Sequence, residues 1–240
     1  MFKDLQVTLY EIFGYLIPGA VSIGSLGVLF WALFFPAQVV DFDMRTGELW
    51  VAFLVLAYIA GHMAQAIGNL IESRIKPVEQ LVIEKTAPDR LPQAVVDACR
   101  AKATELTKAD MSGASPRWLY RVCDDAVIRS GKIGEREIYV YREGFYRGIF
   151  ISFSAMAAAC VALCIRLFLV TEREVMLARA HWGVTQWQLV FLAAVSVIWA
   201  ALSFRRYRRF GEYRTTHALL GFLTVKEAKK EGSDDQKKGG

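Results

Sequence analysis

The sequence predicts an all-α membrane protein: four transmembrane helices arranged as two hairpins, with a helical cytoplasmic insertion between them. Hydropathy is the first reason. Of the 240 residues, 54% are hydrophobic and the mean hydropathy is +0.28. The apolar residues gather in four stretches, each close to the roughly 20 residues that a helix needs to cross a bilayer core. The second reason is charge, because lysine and arginine concentrate on one side of these stretches.

The apolar stretches divide the chain into segments. The expected spans are residues 12–35, 49–70, 148–170 and 184–204. The corresponding segments are a first hairpin (1–72), the insertion (73–147), a second hairpin (148–204) and a basic cytoplasmic tail (205–240). The first apolar run is longer than the hydrophobic part of a signal peptide, so we expect an uncleaved helix. The end of the tail is charged and lacks a hydrophobic face, so we expect disorder there.

Orientation follows from the basic residues. The two linkers between paired spans hold three of the 29 lysines and arginines: Arg45, Arg173 and Arg179. The positive-inside rule therefore places both linkers outside, and both termini and the insertion in the cytoplasm, across the inner (plasma) membrane of a bacterium. Trp50, Trp182 and Trp187 lie at the outer ends of their spans, where an indole keeps its ring in the interface and its N–H in water.

The insertion has a helical rather than a strand pattern. One helix is predicted after Pro92, and a second with Ser115 as N-cap and Pro116 in its first turn. The apolar side of the second helix is expected to carry Trp118, Leu119, Val122 and Ala126. From Glu135 the pattern runs into the third span without a proline, which predicts one continuous helix. The segment is too short for a large independent core, so we expect it to pack against its membrane stems or another copy.

The second span carries a polar stripe within an arc of about 80°. Its residues are Tyr58, His62, Gln65, Asn69 and Glu72. Beside it runs a stripe of small residues that allows close helix approach: Ala57, Gly61, Ala64 and Gly68. Two interpretations are open, a packing face between helices and a path for ions or protons. The packing face is favoured, because no carboxylate lies deep in any span.

The first span offers a partner for this stripe. Pro18 has no amide hydrogen, so the carbonyl of Gly14 loses its usual helical hydrogen bond and the helix should bend there. Pro18 and Gln65 lie at similar depth when counted from the cytoplasmic ends of their spans. We therefore expect His62 and Gln65 to hydrogen-bond residues 15–19 of the first helix.

A cluster of five arginines follows the fourth span directly: Arg205, Arg206, Arg208, Arg209 and Arg214. Such a cluster attracts anionic lipid head groups, at about 1 kcal/mol per basic side chain. Interleaved arginine and tyrosine also suit nucleic acid. The position beside a span favours the membrane, so lipid head groups are the expected partner and nucleic acid is not.

The sequence contains no residue pattern that is specific to catalysis or to a bound metal. Asp124 and Asp125 are adjacent on a helix and point about 100° apart, so they do not converge on one site. His217 has no ligand partner at metal spacing. There is no Walker A, HExxH or GxSxG motif. We therefore expect no catalytic residue, metal or cofactor, and no enzyme activity. The four cysteines should be reduced thiols.

The layout resembles that of small bacterial membrane proteins with two hairpins around a cytoplasmic helical insertion, some of which accompany phage-defence genes. The likeness is one of layout and carries no motif. It implies a sensor or effector in a defence or stress system. The expected function is a non-enzymatic protein that self-associates and couples a partner or signal, received by the insertion, to its membrane helices. The alternative is a transport or channel subunit that uses the polar stripe.

Overall fold

The computed structural model describes residues 2–34, 47–72, 77–84, 91–131, 134–169 and 186–225. All regular structure in these ranges is helical, which confirms the predicted all-α class. The seven helices found there are α1 (Phe2–Phe34), α2 (Gly47–Glu72), α3 (Val78–Glu84), α4 (Gln93–Thr107), α5 (Pro116–Arg129), α6 (Gly134–Leu169) and α7 (Gln186–Thr224).

Four of these helices are long and apolar enough to cross a membrane, as a multi-pass membrane protein requires. They are α1, α2, α6 and α7, with apolar segments Ile12–Phe30, Leu49–Glu72, Arg136–Arg166 and Trp187–Thr224. The predicted continuity of the helix from Glu135 is confirmed, because α6 runs unbroken to Leu169. The predicted start of α5 is confirmed as well. The Ser115 hydroxyl accepts a hydrogen bond from the Trp118 amide at 3.3 Å, and Pro116 occupies the first helical position.

The chain forms two compact units. Unit 1 comprises residues 1–76 and 138–211, and therefore contains α1, α2 and most of α6 and α7. Unit 2 comprises residues 77–137 and 212–240, and contains α3, α4, α5 and the ends of the two long helices. α6 and α7 each contribute to both units without a break in the helix.

In unit 1, α1 and α2 approach backbone to backbone. A Cβ atom on Gly19 would overlap the carbonyl oxygen of Ala57, and one on Gly61 would overlap that of Tyr15. The four residues of the small-residue stripe of α2 are buried: Ala57, Gly61, Ala64 and Gly68. The stripe of small residues is therefore a packing face, and α1 occupies part of it.

Unit 2 has its own hydrophobic core, and the end of α7 completes it. Leu119 and Cys123 of α5 and Val96 and Cys99 of α4 are buried against each other and against α7. The residues that α7 supplies are Ala218, Leu219 and Phe222. Residues 205–224, expected as part of a tail, continue α7 as helix. The C-terminal part of α7 thus has an apolar face, and that face forms one core with α4 and α5.

The expected apolar side of α5 is partly wrong. Leu119 is fully buried, but Trp118 is 54% exposed. The buried positions of α5 are Leu119, Tyr120, Cys123 and Val127. This face is centred on Leu119 and Cys123, so Trp118 lies at its outer edge. Val122 and Ala126 are half-buried beside it.

Lys102 of α4 caps the C-terminal end of α7. Its ammonium group donates to the carbonyl oxygens of Phe222, Leu223 and Val225, at 2.9, 3.2 and 2.6 Å. The same group lies 5.2 Å from the centre of the Phe222 ring. The last carbonyl groups of a helix lack helical partners and carry partial negative charge, so a cation there stabilises the helix end. Lys102 thereby fixes the end of α7 to α4 within unit 2.

Candidate functional site

The polar stripe of α2 divides into two sets by exposure. Gln65 and Glu72 are half-buried and contact other helices of unit 1. Tyr58, His62 and Asn69 are exposed. The stripe thus lies between the packed face and the exposed face of α2. Gln65 and Glu72 bond to other helices of unit 1, whereas Tyr58, His62 and Asn69 lie at the surface.

Gln65 satisfies the carbonyl group that Pro18 leaves unpaired. Its Nε2 donates to the carbonyl oxygen of Gly14 at 3.4 Å. Gln65 therefore bonds the first helix, but at Gly14, one residue before the expected segment 15–19. A Cβ atom on Gly148 of α6 would lie 3.1 Å from Pro18 and 3.5 Å from Gln65. Three helices of unit 1 therefore meet at this point.

His62 contacts α1 through its ring. The imidazole stacks on the Tyr15 ring, with centroids 3.7 Å apart and an interplanar angle of 17°. Tyr58 meets the imidazole edge-on at 4.7 Å. The expected hydrogen bond from His62 to residues 15–19 is replaced by this stack, because a ring lying flat on Tyr15 directs its nitrogen atoms sideways. His62 thus contacts α1 while its edge stays exposed.

A chain of hydroxyl groups joins α1 to α6. The hydroxyls of Ser22 and Ser152 are 2.8 Å apart, and Ser152 donates to the carbonyl of Gly148 at 2.9 Å. Ser25 donates to the carbonyl of Val21 at 2.8 Å and also lies 3.3 Å from that of Ser152. Ser152 is fully buried. The Ser25 and Ser152 hydroxyls bond to backbone carbonyls and the Ser22 hydroxyl bonds to Ser152, which pairs these polar groups in an apolar environment.

Glu72 forms an ion pair at the C-terminal end of α2. Arg147 of α6 donates to Glu72 Oε2 at 2.7 Å. The Arg147 side chain crosses Gly68, where a Cβ atom would lie 2.7 Å from Arg147 Cγ. The Tyr207 hydroxyl of α7 interacts with Glu72, and Glu143 of α6 lies near the same phenol. Glu143 and Tyr207 are buried.

Sequence reasoning did not identify Glu143, Ser152 and Tyr207. Glu143 stands four residues before Arg147 on α6, a spacing typical of paired charges on one helix, and this signal could have revealed it. Ser152 and Tyr207 give no comparable signal. Their partners are 130 residues away in the case of Ser152 and on other helices in the case of Tyr207.

The five arginines of the basic cluster have different surroundings. Arg205, Arg206 and Arg209 are exposed in unit 1, and Arg208 lies over the Phe204 ring at 5.8 Å. In unit 2, Arg214 donates to Glu79 at 2.7 Å and lies 5.2 Å from the centre of the Tyr120 ring. Arg214 therefore stabilises unit 2, whereas the other four are arranged along the surface of α7 in unit 1.

The two adjacent aspartates pair with different arginines, as their divergence on a helix predicts. Asp124 binds Arg136, and Asp125 lies 2.9 Å from Arg129. Burial raises the pKa of Tyr120, beside the Asp124 and Arg214 charges, to about 12. Within the described ranges, no group of three or more His, Cys, Asp or Glu side chains could hold a metal ion.

Two thiols lie in the core of unit 2. The Cys99 thiol donates to the carbonyl of Leu219 at 3.4 Å. A hydrogen bond from Cys123 to Cys99 lowers the pKa of Cys99, and the same bond, with burial, raises that of Cys123. Both side chains are fully buried. A thiol reagent can reach them only when unit 2 opens.

No family model, curated protein or solved structure matches the chain. The contacts of the described residues are therefore the basis for interpreting the site. Gln65, Ser152 and Arg147 join α1, α2 and α6 through polar contacts. In the exposed set, Tyr58 and His62 make ring contacts with Tyr15 of α1, and Asn69 lies on the exposed surface of α2.

Proposed function

We propose that the protein is a non-enzymatic, multi-pass protein of the bacterial inner membrane that self-associates and couples a cytoplasmic helical insertion to its membrane helices. It would act as a sensor or effector in a defence or stress system. In this proposal α1 and α2 form one hairpin, the apolar parts of α6 and α7 form the other, and unit 2 is the cytoplasmic part that receives a protein partner or signal.

The continuity of α6 carries the proposal. Residues 134–137 of this helix belong to unit 2, and residues 138–169 to unit 1. The Asp124–Arg136 ion pair attaches the first turn of α6 to α5, and the Glu72–Arg147 ion pair attaches its middle to α2. A helix is stiff along its axis, so a displacement of its first turn is transmitted to its apolar part.

Membrane topology is the first test. Reporter fusions after residues 107 and 225 should report a cytoplasmic location, and fusions after residues 40 and 178 should report an external one. Release of the full chain from membranes by alkaline carbonate, or an external reporter after residue 107, would contradict the proposal.

Coupling is tested by breaking α6 between the two units. Lys102→Met, which weakens unit 2, should change the oligomer distribution seen by native mass spectrometry of the detergent-extracted protein. A proline at Val140 removes a helical hydrogen bond and bends α6, so the response to Lys102→Met should be smaller with Val140→Pro than with the control Val140→Ala. An equal response in both backgrounds would contradict coupling through α6.

Lipid head groups are the proposed partner of Arg205 and Arg206, which are exposed. Replacing Arg205 and Arg206 with glutamine should reduce the anionic phospholipid that copurifies with the protein. Arg214→Gln is the control, because that side chain is bound to Glu79 within unit 2. An equal loss of lipid in the control would contradict a role specific to the exposed arginines.

A second candidate function is supported by one specific observation. The polar groups of Gln65, Ser22 and Ser152 lie on the inner surfaces of α1, α2 and α6, which is where a transport or channel subunit would need them. Proton or cation flux into liposomes that is lost in Ser152→Ala, and also in His62→Ala, would favour this function over assembly. Liposomes without flux would exclude it.

A further inference from the structure

One line of exposed residues along α2 has heptad spacing. The line consists of Val51, Val55, Tyr58, His62 and Asn69, all exposed. Successive members are 4, 3, 4 and 7 residues apart, which corresponds to positions d, a, d, a and a of a heptad. Gln65 occupies the remaining d position at the border with α1. A seam of this spacing is the pattern by which two helices pack along their length. We call these five residues the α2 seam.

One polar side chain of the α2 seam, His62, requires a partner in the hydrocarbon core, and a second, Asn69, lies at the end of the expected span 49–70. In the ranges that the structure describes, His62 and Asn69 make no side-chain hydrogen bond. His62 lies ten residues before Glu72, about 15 Å along the helix, which is near the middle of the expected span. Hydrocarbon offers no donor or acceptor, and an unpaired polar group there is costly. Other exposed faces, such as that of Val197 and Ile198 on α7, are apolar and suit lipid as they are.

The packing of α1 on α2 restricts which face of α2 a second molecule can reach. The other interaction face of α2, its small residues, is buried, and α1 lies against Ala57 and Gly61. The small-residue face of α2 is therefore not open to a second molecule. The α2 seam carries the exposed polar side chains of α2. The Tyr15 ring of α1 packs on Tyr58 and His62 of this seam, and both side chains remain exposed.

We infer that the α2 seam is the interface of a parallel homodimer, in which His62 and Asn69 each face the same residue of a second copy. The inference rests on the proposed membrane function and identifies the surface through which the protein self-associates. Copies inserted by the same rules have the same orientation, so their α2 helices are parallel and bring identical residues to the same depth.

The chemistry of the two polar residues matches that arrangement. An asparagine amide has both donors and an acceptor, and a neutral imidazole has one of each. Either side chain can therefore pair with itself across a two-fold axis, as an interface between identical patches requires. A polar residue at an a position also fixes the register of a two-stranded parallel pair. A different protein would have to match both the spacing and the depth of these groups.

Disulfide crosslinking in native membranes tests the interface. Single cysteines at Val51, Val55 and Asn69 should form dimers on mild oxidation. Cysteines at Ile59, Met63 and Leu70, which are equally exposed but lie outside the α2 seam, should not. The unsubstituted chain gives the baseline for its four native cysteines. Equal crosslinking at Met63 and Asn69, or crosslinks to a polypeptide of another mass, would overturn the inference.

Substitution of the polar residues gives a second measurement. Asn69→Leu and His62→Leu should each weaken dimerisation by roughly three- to tenfold, the effect of a single interhelical hydrogen bond in a membrane. Met63→Leu is the control and should leave dimerisation unchanged. Unchanged dimerisation in both seam variants would overturn the inference. If the reporter fusions show the expected topology but the crosslinks form through another helix, the inferred interface is wrong and the proposed function stands. If the reporter fusions show a different topology, the proposed function itself is wrong.

Discussion

The side-chain amide of Gln65 donates to the carbonyl oxygen of Gly14, 3.4 Å away, and takes the place of the amide hydrogen that Pro18 lacks. One helix thus supplies to another a hydrogen bond that the second cannot make for itself. The bond joins α2 to α1 at the point where Gly148 of α6 also packs.

We predict that Gln65→Leu lowers the free energy of unfolding by about 1 kcal/mol, the usual value of one interhelical hydrogen bond in a membrane protein. In a chain of this size that corresponds to a fall in melting temperature of roughly 2–4 °C, measured by thermal unfolding in detergent. The test is a double-mutant cycle with Pro18→Ala. Alanine restores the amide hydrogen to α1, so Gln65→Leu should cost less in that background. An equal cost in both backgrounds would show that the amide does not serve the Gly14 carbonyl.

The close approach of α1 and α2 predicts a strong effect of one methyl group. In Gly61→Ala the new Cβ atom would overlap the Tyr15 carbonyl, a backbone group that cannot rotate away. We expect a loss of up to about 3 kcal/mol, the upper range for overpacking, seen as a lower melting temperature or as failure to assemble. Gly27→Ala is the control, because a Cβ atom there meets nothing within 4 Å. A harmless Gly61→Ala would mean that the two helices are farther apart.

The contacts of Lys102 with the end of α7 predict that Lys102→Met opens unit 2. The variant loses a cation bonded to three terminal carbonyls, which costs about 1–2 kcal/mol. The alkylation rate of the buried Cys99 and Cys123 thiols measures opening, in a chain whose Cys160 and Cys164 are replaced by alanine. We expect a rise of roughly 5- to 30-fold, and little change in the exposed control Arg121→Met. Unchanged alkylation in Lys102→Met would contradict the role assigned to Lys102.

The sequence was sufficient for features that depend on local chemistry and on hydropathy. The four long apolar helices follow from the length of the apolar stretches, and the loss of the helical hydrogen bond at the Gly14 carbonyl follows from the absence of an amide hydrogen in Pro18. The helix from Glu135 follows from a pattern without breakers. In each case the cause lies within one or two neighbouring segments of the chain.

Contacts between distant segments could not be predicted. Ala218, Leu219 and Phe222 form an apolar face, but the arginines before them drew attention to the charge of that region. Their role in the core depends on α4 and α5, more than 90 residues earlier in the sequence. Arg214 likewise looked like one more basic residue, because its partner Glu79 lies 135 positions away.

Tyr120 predicts a loss of stability at alkaline pH. Its pKa is about 12 in the folded chain against 10 for an ordinary tyrosine, so folding favours the protonated form. The stabilisation is complete below pH 10, falls as the unfolded chain loses its proton, and is gone above pH 12. It amounts to at most about 3 kcal/mol, two pKa units of differential binding. Alkylation of Cys99 and Cys123 should therefore accelerate between pH 10 and 12 more in the native sequence than in Tyr120→Phe. Because lysines titrate in the same range in both proteins, only the difference reports on Tyr120, and parallel pH profiles would contradict the prediction.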